Sequence, residues 1–197
     1  MGKRRPWMVL GAAALAVLVV FGADGLRLGT PTGSRTPVRI PVAEVATSMM
    51  PQDAPLTPQQ QQLLNVIPPG YAPGTCQPSN NPPPLPDTVA SLDCFNNTRQ
   101  GGPTAARYEM FADQDTLNNQ FQIDVNNAGL QPCPGLSTSA PGTWNFKNNP
   151  DAVAGSVMCF TTNNGPNLEW TNNQYSTLAD TSGTDLAGLF SWFNRLP

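Results

Sequence analysis

The chain has 197 residues, enough for one domain with appendages, and charged side chains make up only 12% of it, about half the usual share. After residue 55 it carries ten acidic and only four basic side chains, so it lacks the positive stripe that a phosphate backbone needs, and nucleic-acid binding is excluded. There is no histidine, which removes Ser-His-Asp and Cys-His catalysis, histidine-liganded zinc and every imidazole base.

Lys3, Arg4 and Arg5 precede an uncharged run from Pro6 to Ala23 whose apolar core is Trp7–Phe21. A basic start before an apolar stretch is the pattern of a targeting segment. Its length falls between a cleaved signal and a spanning helix, which needs about 20 residues. Residues 1–23 are read as a signal-anchor helix, with secretion after cleavage as the alternative. The positive-inside rule keeps Lys3, Arg4 and Arg5 cytoplasmic and places the remainder outside, at the cell membrane. Residues 24–56, rich in Pro, Gly and Thr, predict a disordered tether. The short alternation over 38–42 admits an edge strand, although Pro41 limits it.

Folded structure is expected from Thr57. Thr57-Pro58-Gln59-Gln60 has the form of a capping box with proline at the first helical position. The helix turns Leu63, Leu64 and Ile67 inward and stops at Pro68-Pro69-Gly70. Pro82-Pro83-Pro84 predicts a stiff connecting loop. Strands are expected over 89–94 and 106–111. Asp113 should cap a second helix, with Leu117, Phe121, Val125 and Ala128 on one face and Gly129 at its end. Trp144–Phe146 reads as a short strand, and 156–162 with 167–171 as a hairpin. A weaker strand covers 175–179. Thr184 or Asp185 caps a final helix that buries Leu186, Leu189, Phe190 and Phe193. Residues 57–197 are thus expected to form an α+β domain, a mainly antiparallel sheet with helices packed on one face.

Four cysteines, Cys76, Cys94, Cys133 and Cys159, follow the apolar segment. An even number in an exported chain reads as disulfides, and no C-x-x-C spacing supports zinc. Each half of the domain has a helix, a proline-flanked cysteine and then a strand cysteine. A chain leaving a helix and returning as the next strand would bring those two together. Of three connectivities, Cys76–Cys94 with Cys133–Cys159 is therefore expected.

Pro68-Pro69-Gly70-Tyr71, Leu92-Asp93-Cys94, Ala106-Arg107-Tyr108, Gly142-Thr143-Trp144, Leu168-Glu169-Trp170-Thr171 and Leu189-Phe190-Ser191-Trp192-Phe193 carry a resemblance. Over residues 57–197 the chain resembles a domain of exported actinobacterial, notably mycobacterial, membrane proteins. It is similar to the extracellular C-terminal region of some actinobacterial Ser/Thr protein kinases. It has no Gly-rich loop and no HRD-type loop, so the resemblance implies a sensor-like or binding domain and transfers no catalytic residue.

Candidate chemistry is sparse. Asp113 and Asp115 are the nearest acidic pair, and helix capping explains them. Asp87, Asp93 and Asp151 lack a calcium-loop pattern and read as solvated. Trp144, Trp170 and Trp192 read as core, with a ligand groove as the alternative. Asn96-Asn97-Thr98 matches an N-glycosylation acceptor. No catalytic, cofactor or metal residue is expected. The function expected is a non-catalytic, membrane-tethered binding domain for an unknown envelope ligand or protein. The alternative is a carboxylate-dependent hydrolase of the glycoside type, which a cleft holding two carboxyls about 5–10 Å apart would favour.

Overall fold

The computed structural model describes residues 55–80, 82–136 and 141–196. The expected N-terminal helix, the tether and the strand weighed at 38–42 lie outside the described residues, as do Lys3, Arg4 and Arg5.

Helix α1 (Pro58–Val66) begins where its capping box dictates. Thr57 Oγ1 accepts from the Gln60 N–H (3.2 Å) and Gln60 Oε1 accepts from the Thr57 N–H (3.0 Å). It ends at Ile67, before Pro68-Pro69, which cannot continue a helix. Eight strands follow: β1 (Cys76–Pro78), β2 (Thr88–Phe95), β3 (Ala105–Phe111), β4 (Leu130–Gln131), β5 (Gly142–Phe146), β6 (Asn149–Thr162), β7 (Gly165–Asn172) and β8 (Thr177–Ser182). Helix α2 (Gln114–Asn127) separates β3 from β4, and α3 (Leu186–Phe193) closes the domain. Asp113 and Asp185 cap these two helices through the N–H groups of Thr116 and Gly188.

The strands form one sheet in the order β1-β2-β3-β8-β7-β6-β4, with β5 also pairing β6, and every pair is antiparallel. The hairpin expected near residue 164 turns on Asn163-Asn164 alone, since Thr162 pairs with Gly165. The last strand is displaced: Tyr175 lies in a turn and β8 runs to Ser182. The short β1 and β4 carry too little alternation to stand out in the sequence.

Helices cover both faces of the sheet, which corrects the expectation of a single covered face. Leu63 of α1 and Leu189, Phe190, Trp192 and Phe193 of α3 pack with Leu92, Tyr108, Val157 and Trp170. Leu117 and Phe121 of α2 pack with Phe111, Met158 and Leu178. Adjacent strand residues therefore point into different cores, as Val157 and Met158 do. Apolar pairs at 110–111, 157–158 and 178–179 leave both sides of the sheet apolar, and each side needs cover.

Cys76 and Cys94 are register partners across β1 and β2 and are joined by a disulfide. A second joins Cys133 to Cys159 of β6. Further along β6 the chain is drawn tight at Gly155, where a Cβ would sit 1.9 Å from the Thr171 carbonyl oxygen. That carbonyl accepts the Trp144 indole N–H (2.8 Å).

Candidate functional site

The face covered by α1 and α3 is built from aromatic rings in edge contact. Tyr71 meets Tyr108 (centroids 6.0 Å apart), Tyr108 meets Trp170 (6.3 Å), and Trp170 meets Trp192 (5.8 Å). Trp144 packs on Phe193 at 5.5 Å. The two tyrosine hydroxyls share a hydrogen bond of 2.9 Å. Burial pushes the Tyr71 phenol up to about 12 and raises Tyr108 well above its ordinary value, so both stay protonated and serve as structural hydroxyls.

Within this face lies a part-open cavity of about 110 Å³, between the end of α1 and the rings of Tyr108, Trp144 and Trp170. Ile67 and Pro68 supply one wall, and Asn172 and Thr177 place polar groups among the apolar ones. Native cores carry few voids larger than a water molecule. A dry engineered cavity of about 150 Å³ holds benzene, so this one has room for a branched alkyl group or, with small movements, a ring. Trp192 and Trp170 are buried, as core residues should be, whereas Trp144 is half-buried and lines the opening.

The α2 face is polar where the other is aromatic. Asp93, Arg107, Asp180 and Glu169 are successive register partners across β2, β3, β8 and β7. Arg107 turns entirely toward one end of this row. It donates to both oxygens of Asp93 (2.8 and 3.0 Å) and to the carbonyls of Pro82 (2.9 Å) and Pro83 (3.3 Å). Glu109 Oε1 accepts from the Leu85 N–H (2.8 Å) and lies 3.3 Å from the Ser91 hydroxyl. The proline loop is thereby clamped onto the sheet, and more than connects it.

At the other end of the row the carboxyls lack such partners. Glu169 is buried and its Oε1 has no hydrogen-bond partner. Desolvation raises its pKa well above the ordinary value, and the charges of Asp180, Asp124 and Glu109 raise it further. The protein around Asp180 pushes its carboxyl up to about 6, with Asp124 adding to the rise and Arg107 opposing it. Asp180 is nonetheless exposed, so water screens part of that rise. Burial also raises Asp124, on α2, against a hydrogen bond from Gln120.

The residues singled out in the sequence are scattered. Asp113 is an exposed cap, and the Thr116 backbone N–H holds its carboxyl below the usual range. Asp115 lies in the same first turn. Asp93 forms an ion pair, and Asp151, exposed as expected, lies within β6; neither is a loop residue. Asp87 adopts a left-handed turn with φ of 62°. Asn96-Asn97-Thr98 anchors the turn after β2 to the carbonyls of Pro69 and Gly70. Among the described residues no three His, Cys, Asp or Glu side chains are grouped as a metal would require. The acids that do cluster, Asp124, Glu169 and Asp180, were missed. Their signal was an acidic residue inside an apolar strand, as in Leu168-Glu169-Trp170.

Fold and site together define a disulfide-bonded α+β domain with a helix-covered sheet and a ring-lined cavity. No family model, no curated protein and no solved structure matches the chain. The two disulfides are compatible with an oxidising, extracytoplasmic compartment. Among the described residues no helix is long and apolar enough to cross a membrane.

Proposed function

We propose that residues 57–197 act as a non-catalytic, sensor-like binding domain, tethered outside the cell membrane by the N-terminal apolar segment. The observation that carries this reading is the aromatic cavity. It is concave, mostly apolar and supplied with a few polar groups, which is the make-up of small-ligand sites. The ligand is one that presents a branched alkyl or ring-shaped end from the envelope side. Titration of the protein with indole, followed by NMR, tests it. Saturable shifts at Tyr108, Trp144 and Trp170, lost when Ala179→Leu fills the cavity, support the reading. Shifts that persist unchanged in a folded A179L protein overturn it.

One observation favours the hydrolase alternative: Glu169 and Asp180 are neighbours in register, one carboxyl strongly raised and the other less so. Such a split is what an acid and a nucleophile need. The pair ranks second because both rise from the same sheet surface and do not flank a bond from two walls. Turnover of a glycoside panel that is abolished by Glu169→Gln would establish it in place of the binding reading.

A further inference from the structure

We infer that the aromatic cavity is the apolar end of a longer site for a single-chain amphiphile, whose anionic head is received by Lys147. The inference rests on the reading of that cavity as a ligand site and names the chemistry it takes. A second hollow, of about 210 Å³, lies beside the cavity, and Trp144 and Leu196 are walls of both. The Trp144 ring meets Phe146, which lines the cavity (centroids 4.9 Å apart), and Phe193, which lines the hollow (5.5 Å). Its indole N–H is held by the Thr171 carbonyl, so the half-buried ring is fixed as a ridge shared by the two spaces.

The two spaces differ in kind. The cavity is mostly apolar, whereas the hollow is graded. Its buried residues are Val157, Phe190 and Phe193, and its exposed ones are Thr143, Asn145, Asn194 and Lys147. An apolar floor under a polar rim suits a hydrocarbon chain that ends in a polar head.

Charge decides which head. After residue 55 the chain carries ten acidic side chains, yet no carboxyl lines either space, and Lys147 is the one charged residue that does. Among the described residues the one ion pair joins Arg107 to Asp93, so no carboxylate is held against Lys147. A cationic head would meet a like charge with nothing to offset it, and a neutral head would leave the ammonium unused. An anionic head pairs with it, which for an exposed pair is worth about two- to fivefold in affinity.

The full chain, held in nanodiscs of zwitterionic lipid, is titrated by NMR near neutral pH with octanoate, octyl phosphate, 1-octanol and octylammonium, with uptake by empty discs subtracted. The expected result is saturable shifts at Trp144, Phe193 and Asn194 as well as at Tyr108 and Trp170, with the anionic ligands bound about two- to fivefold more tightly than octanol. Lys147→Gln should erase that preference, and Lys147→Glu should transfer it to octylammonium. Lys147 is exposed, so neither substitution disturbs the core. Octanoate binding at least as well as octyl phosphate identifies a free fatty acid, and tighter binding of octyl phosphate identifies a phosphate-headed lipid; either supports the site. Equal affinity for all four ligands, an unchanged preference in K147Q, or shifts confined to Tyr108 and Trp170 each overturn it. Binding of indole without binding of either anion overturns it too and leaves the aromatic cavity standing as a site for small rings. Loss of indole binding as well overturns both.

Discussion

The two faces of the sheet solve the same covering problem with opposite chemistry. Under α1 and α3 the sheet buries Tyr108, Trp170, Trp192 and Phe193 together with Cys94 and Cys159. Under α2 it buries a smaller apolar cluster around Leu117, Phe121 and Met158, bordered by Glu109, Glu169 and Asp180. Apolar burial stabilises by roughly 25 cal/mol per Å², whereas buried carboxyls stabilise only when fully partnered. One face therefore holds the fold, and the other carries adjustable charge. Keeping those duties on opposite sides of a single sheet lets the acids be costly without loosening the core.

The largest test is of the stabilising face. Cys159→Ser should cost about 2–5 kcal/mol of unfolding free energy, since the bridge it removes closes a loop with a sequence separation of 26. Cys94→Ser should act similarly, at a separation of 18. Urea denaturation of the oxidised variants measures both, and a loss below 1 kcal/mol would place the stabilisation elsewhere. Gly155→Ala should follow, at about 1–3 kcal/mol or more, because backbone and not a movable side chain meets the new methyl group. Its effect should be accompanied by loss of the Trp144–Thr171 hydrogen bond, visible in the indole N–H resonance.

The acidic face should behave in the opposite sense. Glu169 and Asp180 have folded pKa values raised above their unfolded ones, so the native state holds protons more firmly than the unfolded chain. Their contribution is fully present below the unfolded values and is lost as pH rises through the folded ones. For Asp180 that window runs from 3.8 to about 6. The melting temperature should therefore fall between pH 4.5 and pH 8. Glu169→Gln should flatten the fall and stabilise by about 1–3 kcal/mol at the alkaline end while changing little at the acidic end. A wild-type melting temperature that rises over that range would break the division of duties. The smallest effect is expected at Asp113→Ala, a slight lowering of the melting temperature from loss of the α2 cap. Thermal denaturation with D113N alongside separates capping from charge.

How much of this was legible depends on the range over which each signal acts. Local signals read well: the Thr57–Gln60 capping box, the Asp113 cap and the turn at Asn163-Asn164 are each complete within a few residues. The spacing of Leu117 and Phe121 shows that α2 has an inward face, but the same spacing serves either side of a sheet. The side it covers is set by Met158 and Leu178, far along the chain. Paired apolar residues in three strands did announce two buried faces, and alternation alone conceals that. The acidic row was illegible for a plainer reason. Asp93, Arg107, Glu169 and Asp180 become neighbours only through strand order and register, which no window on the sequence contains.

Both disulfides also sit at the lateral ends of the sheet. The outermost strands, β1 with three residues and β4 with two, are short. One is bridged to β2, and the other lies two residues from Cys133, whose partner is in β6. Short rims blunt the row of unpaired amides that an edge strand offers to another chain. Reduction would free those rims and uncover β2 and the far end of β6, long strands rich in apolar and β-branched residues. In a reducing compartment the danger is then templated strand pairing between copies as much as unfolding. The bridges act as selvedges on the sheet, and they tie its solubility to the redox state of the place where it folds.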